Sequence, residues 1–275
     1  FQTGASSIEV LVSMQELINS FGSLLQVTGG AISASKSWFY LVEFVWKQGQ
    51  WAADDPGDNY NLVAIDETGE EVSLKRLCCS EAAEMLGVWI CPSLKETTLV
   101  SKLRAKATAW GAKIGRSNAS HYEAWVALHT NISARLKYPL QACIFSDAEC
   151  RAIMAPAIKA ALPRSGFCAT LATDIRNGPR LSGGVGVLSL AEFQGTSRTA
   201  TLVEHTFRST PLGKMIQITI EDIVQEIGLY GTLWDMDMDA TSKYISKHSW
   251  ISHACKYNYN TVSYTHLRAH ETRRY

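Results

Sequence analysis

The chain has 275 residues, 46% of them hydrophobic and 19% charged, and its 26 Lys and Arg balance 26 Asp and Glu. That is long enough for one large domain or two ordinary ones, and too apolar for a disordered chain. Zero net charge gives no whole-chain attraction to a polyanion, and no apolar run approaches the ~18 residues a membrane span needs.

In chain order, helix starts are the clearest signal. A Ser followed three residues later by Glu lets each side chain satisfy an orphan N–H at a helix N-terminus. The pattern occurs at Ser6/Glu9, Ser93/Glu96, Ser120/Glu123, Ser146/Glu149 and Ser189/Glu192. The first predicted helix covers 7–27, with Ile8, Leu11, Leu17, Phe21, Leu24 and Leu25 inward, and closes at Gly29-Gly30. Residues 37–46, 61–66, 71–77 and 86–91 are rich in β-branched and aromatic residues and read as strands, with turns at Gln48-Gly49-Gln50 and Thr68-Gly69. A helix over 94–114 buries Leu99, Leu103, Trp110 and Ile114. The next, 121–137, buries Tyr122, Trp125, Leu128, Ile132 and Leu136 and stops before Pro139. A helix over 147–161 carries Pro156, where a kink or break is expected. Two more fill 189–207 and 212–227.

The predicted class is therefore α+β. A small β-rich part with one helix covers 1–92, a helical part covers 93–230, and the pattern fades over 231–275. Residues 263–274 resemble a translated sequencing adapter and are left out of the fold, as are 231–262. The opening at Phe1, with no leader before it, reads as a fragment or processed piece.

Seven cysteines (Cys78, Cys79, Cys91, Cys143, Cys150, Cys168 and Cys255) are odd in number and irregularly spaced. They predict reduced thiols in an intracellular setting, cytoplasm or nucleus. No Cys-x2-Cys pair marks a zinc site, so no metal ligands are expected.

Neutrality hides charge blocks. Residues 101–140 hold Lys102, Arg104, Lys106, Lys113, Arg116, Arg135 and Lys137 against Glu123 alone, whereas 221–240 hold six acids and no Lys or Arg. On a helical wheel Lys102, Lys106, Lys113 and Arg116 share one edge of the apolar stripe, with Arg104 off it. Such an edge suits a nucleic-acid backbone or an ordinary solvated face.

Gly29-Gly30 closing a helix, Lys36 six residues later, and then an aromatic strand resemble motif D of retroelement reverse transcriptases. The resemblance implies that Lys36 lies near the phosphates of the incoming nucleotide as a candidate general acid. Without it, Lys36 is a solvated strand-start lysine. Leu86-Gly87-Val88-Trp89 resembles the core of motif E, which implies a primer grip at Leu86, Gly87 and Trp89. Trp110, Glu123-Ala124-Trp125, Tyr138-Pro139-Leu140, Met154-Ala155-Pro156, Gly178-Pro179 and Gly183-Gly184-Val185-Gly186 follow in an order similar to the thumb and connection of retrotransposon enzymes from microbial eukaryotes.

The resemblance identifies 1–92 with the end of a polymerase palm and 93–230 with the thumb and connection. It implies a primer–template partner and the missing N-terminal fingers and palm. It also implies that the catalytic aspartates, and the Mg²⁺ of the intact enzyme, lie upstream of this chain. Asp54-Asp55 after Trp51 imitates the catalytic signature but reads as a solvated loop. Asp235, Asp237 and Asp239 lack the Gly and Glu of a calcium loop, and His248, His253 and Cys255 read as ordinary side chains. The alternative is a non-catalytic helical scaffold that binds nucleic acid or protein.

Overall fold

Four of the five Ser-x-x-Glu pairs start helices in the computed structural model, which describes residues 4, 6–47, 50–57, 60–93, 97–228, 237–241, 245 and 249–272. Ser120 and Ser146 form reciprocal capping boxes with Glu123 and Glu149, while Ser6 and Ser189 accept from the backbone N–H of Glu9 and Glu192. Glu96 of the fifth pair lies outside the described residues, as do Gln48-Gly49, Asp235 and His248. The fold is α+β. The chain divides into two compact units, Phe1–Thr98 and Leu99–Tyr275.

In the first unit, α1 (Ser7–Val27) ends at Thr28, and Gly29 follows at φ +78°. The face it buries is not the expected one. Val10, Leu11, Met14 and Ile18 pack on a core of Phe39, Leu41, Leu62, Ala64 and Leu74, whereas Ile8, Leu17, Phe21 and Leu24 are exposed. The helix is apolar on most of its circumference, so periodicity alone cannot choose a side. One polar residue helps fix it: the Gln15 amide donates to Val63 O at 2.8 Å and accepts from Val63 N–H at 2.9 Å. That pairing satisfies backbone groups at a strand edge.

Among the described residues, eight short strands make four two-stranded sheets. β1 (Trp38–Tyr40) lies parallel to β6 (Lys75–Leu77). β2 (Glu43–Lys47) with β3 (Gln50–Asp54), β4 (Val63–Ile65) with β5 (Glu71–Ser73), and β7 (Ala83–Met85) with β8 (Val88–Ile90) are antiparallel. Four expectations change. The run 71–77 splits at the buried Leu74 into β5 and β6, which pair in different sheets. The run 37–46 breaks after Tyr40, because Leu41 turns into the core while β2 leaves for a different partner. The stretch 51–54 is strand, not loop, with Asp54 opposite Glu43. The run 86–91 is the tip and return strand of a hairpin.

The second unit is helical. α2 (Thr97–Arg116) buries Leu99, Leu103 and Ile114 as expected, with Ala107 and Gly111. α3 (His121–Ala127) continues through a π-helical turn, Leu128–Ile132, into α4 (Ser133–Lys137); Ser133 donates to Leu128 O at 2.7 Å. Leu128, Ile132 and Leu136 are buried, but Tyr122 is exposed. Of the kink or break expected at Pro156, the break is absent: α5 (Asp147–Arg164) runs continuously past it. α6 (Thr173–Asn177) is a single short turn of helix. α7 (Leu190–His205) holds the backbone of Phe145 with the buried Gln194 amide, which donates to Phe145 O at 2.8 Å and accepts from its N–H at 3.1 Å.

α8 (Pro211–Ile227), α9 (Met238–Thr241) and α10 (Trp250–Thr272) complete the unit. Sequence alone leaves 231–262 outside the fold. The structure nevertheless puts Ile251, Ala254 and Cys255 into one core with Leu202, Ile216 and Ile223. No helix among the described residues is long and apolar enough to cross a membrane.

Candidate nucleic-acid interface

Leu86, Gly87 and Trp89 belong to one device. β7 and β8 are joined by the two-residue loop Leu86-Gly87, with Met85 opposite Val88 and Glu84 opposite Trp89. A two-residue hairpin whose twist matches its strands needs positive φ at both loop positions, which favours Asn and Gly. Here the values are +50° at Leu86 and +82° at Gly87. Leu86 has the only positive φ outside glycine among the described residues, and it is 84% exposed. A branched apolar side chain is thus held, at a cost of about 1–2 kcal/mol, where no packing requires it. Trp89 is half-buried on the return strand, and Val88 anchors the hairpin in the interior.

The hairpin's base is tied to β1: the Tyr40 hydroxyl donates to Glu81 O at 2.8 Å. Lys36 ends a 3₁₀ turn, Ala34–Lys36, immediately before β1. It is exposed, and its ammonium makes no ion pair among the described residues. One strand therefore separates the candidate phosphate lysine from the residue that ties down the candidate grip.

In the second unit, α2 carries five cations and no acid. Lys102, Lys106, Lys113 and Arg116 are exposed along one edge of the face that buries Leu99, Leu103 and Ile114. Lys106, Lys113 and Arg116 make no ion pair among the described residues. Packing against α5 aims this edge. Gly111 sits against the Pro156 carbonyl, and Arg164 donates to Gly115 O at 2.6 Å. Lys113 and Arg116 in the last turn also complement the helix dipole.

The Asp54-Asp55 pair does not fit two catalytic Mg²⁺ ions. The Asp54 carboxylate is 2.6 Å from Lys47 Nζ, and Asp55 is paired with Arg76. Two carboxylates that face different cations do not converge on a shared metal pair.

Sequence reasoning missed one cluster. Asp55, Cys78 and Cys79 each bring a ligand atom within 4.8 Å of the other two. The adjacent cysteines are visible in the sequence, but no spacing rule links them to an aspartate just past the end of β3. No protein-family model, no curated protein and no solved structure matches this chain.

Proposed function

We propose that this chain is the palm end, thumb and connection of a retroelement RNA-directed DNA polymerase, gripping primer–template nucleic acid without supplying the catalytic aspartates. The observation that carries the reading is α2: four exposed cations on one edge of a docked helix with no acidic residue. Such a face tracks a phosphate backbone without reading bases. The exposed Leu86 tip supports it as an apolar contact beside a primer end, and Lys36 is the proposed donor toward nucleotide phosphates. Mg²⁺ would be held by carboxylates upstream of this chain.

A second reading, a non-catalytic scaffold for a protein partner, is favoured by the outer face of α1, where Ile8, Val12, Phe21, Leu24 and Val27 are exposed. In the polymerase reading that face is where the rest of the palm packs. Fluorescence anisotropy with a labelled primer–template hybrid separates the two. The polymerase piece binds hybrid and duplex with little base preference, and pure chain gives no templated incorporation with Mg²⁺ or Mn²⁺. Absence of nucleic-acid binding at low salt leaves the scaffold.

A further inference from the structure

The strands of the first unit are short. Among the described residues its sheets have two strands each, and one core cluster gathers Phe39, Leu41, Leu62, Ala64 and Leu74 with Val10, Leu11, Met14 and Ile18 of α1 against it. Two-stranded sheets are marginal alone, and small scaffolds often add a metal or disulfide staple. We propose that Asp55, Cys78 and Cys79 form a site for one thiophilic divalent cation, zinc, with water in the fourth position. The site would join the end of β3 to the connection between β6 and β7, and it does not rest on the nucleic-acid reading.

The backbone bearing the thiols is already fixed. Cys78 O accepts from Glu81 N–H at 2.9 Å, and Cys79 O accepts from Ser93 N–H at 3.0 Å and from the Cys91 thiol at 3.1 Å. Asp55 is oriented in the same way. Gly57 N–H, at 3.1 Å, and Arg76 both donate to Oδ1, which leaves Oδ2 without a hydrogen bond among the described residues. Outer donors of this kind commonly hold a ligating carboxylate in place.

Charge also closes. Zinc with two thiolates and one carboxylate carries one net negative charge, which the adjacent Arg76 guanidinium, 13% exposed, neutralises. Tetrahedral zinc with bonds of about 2.0–2.3 Å keeps its ligands about 3.3–3.8 Å apart, a spacing that three atoms already within 4.8 Å of one another can reach by side-chain adjustment. A cavity of about 300 Å³ lined by Asp55, Tyr60, Asn61, Arg76 and Cys78 supplies an entry path. Binding forms two Zn–S bonds and releases both thiol protons to solvent.

Cobalt(II) titration of the full, reduced chain tests the site, because thiolate-to-cobalt charge transfer reports sulfur ligation directly. One equivalent of cobalt is expected to give tetrahedral visible bands with the charge-transfer intensity of two thiolates, abolished by one equivalent of zinc. Cys78→Ser and Cys79→Ser should each remove roughly half of that intensity, and each, like Asp55→Asn, should weaken zinc binding by about tenfold or more. Cys168→Ser, at an exposed thiol elsewhere, should change neither. Wild-type chain that shows no charge transfer overturns the proposal, as does a band that survives in the double Cys78→Ser, Cys79→Ser variant. The wild-type spectrum decides the matter even where a variant fails to fold.

Discussion

Gly111 of α2 lies directly against Pro156 of α5: a Cβ placed on Gly111 would stand 2.9 Å from the Pro156 carbonyl oxygen and 3.3 Å from Ala160 Cβ. This contact seats α2 and so decides where its cations point. Gly111→Ala gains up to about 1 kcal/mol of helix propensity, but the contact is with backbone, which cannot step aside cheaply. The expected outcome is net destabilisation of about 1–3 kcal/mol, the range for overpacking. Gly115 on the same helix has nothing within 4 Å, so Gly115→Ala should stabilise by about 0.5–1 kcal/mol. Urea unfolding of the two variants checks the pair. Equal effects would mean that α2 is not seated by this contact.

Leu86 sets stability against contact. Replacing it with Asn, which tolerates the left-handed region, should stabilise the hairpin by about 1 kcal/mol. If the tip grips a primer end, the same change should weaken hybrid binding by roughly fivefold, about 1 kcal/mol. Thermal melts and anisotropy on one preparation read both. A stabilised variant with undiminished affinity would remove Leu86 from the interface.

His129 predicts a pH effect. It lies on the π-helical turn with its ring 4.3 Å from Trp125, and the Arg180 guanidinium lies over the other ring of that pair at 4.8 Å. Burial, then Arg180 and Lys137, hold its pKa below the ordinary 6.5. A folded-state pKa below the unfolded one means that acid favours the unfolded chain. The contribution of His129 is therefore complete above about pH 6.5 and is lost as pH falls through the lowered value. Melting temperature followed from pH 7.5 to pH 5 should drop more for wild type than for His129→Gln. Parallel curves would contradict this.

Where the sequence spoke through local chemistry, it was legible. Ser120 and Ser146 form the reciprocal caps their spacing predicts, and Leu99, Leu103 and Ile114 are buried as the 3.6-residue period requires. What failed depended on distant partners. The buried side of α1 is fixed in part by Gln15 pairing with Val63, 48 residues away, which its apolar count does not announce. Leu86 at a hairpin tip defies the usual turn residues, so the run read as one strand. Asp54 joined a strand because β2 offered a ladder. Asp55 meets Cys78 and Cys79 where it pairs with Arg76 of β6, a contact 21 residues apart that no local pattern announces.

The central claim is that α2 tracks a nucleic-acid backbone, and its most direct test is the salt dependence of hybrid binding. Each phosphate contact adds about 0.7–0.9 to the slope of log K against log salt. Replacing Lys102, Lys106, Lys113 and Arg116 together with Gln should therefore reduce that slope by about 3–4. Arg104→Gln, on the same helix but off the edge, should change it little. Anisotropy of a labelled primer–template hybrid across a salt series measures both. A slope that drops in the quadruple variant and holds in Arg104→Gln is the predicted result. An unchanged slope in the quadruple variant would contradict it and reduce α2 to a solvated face.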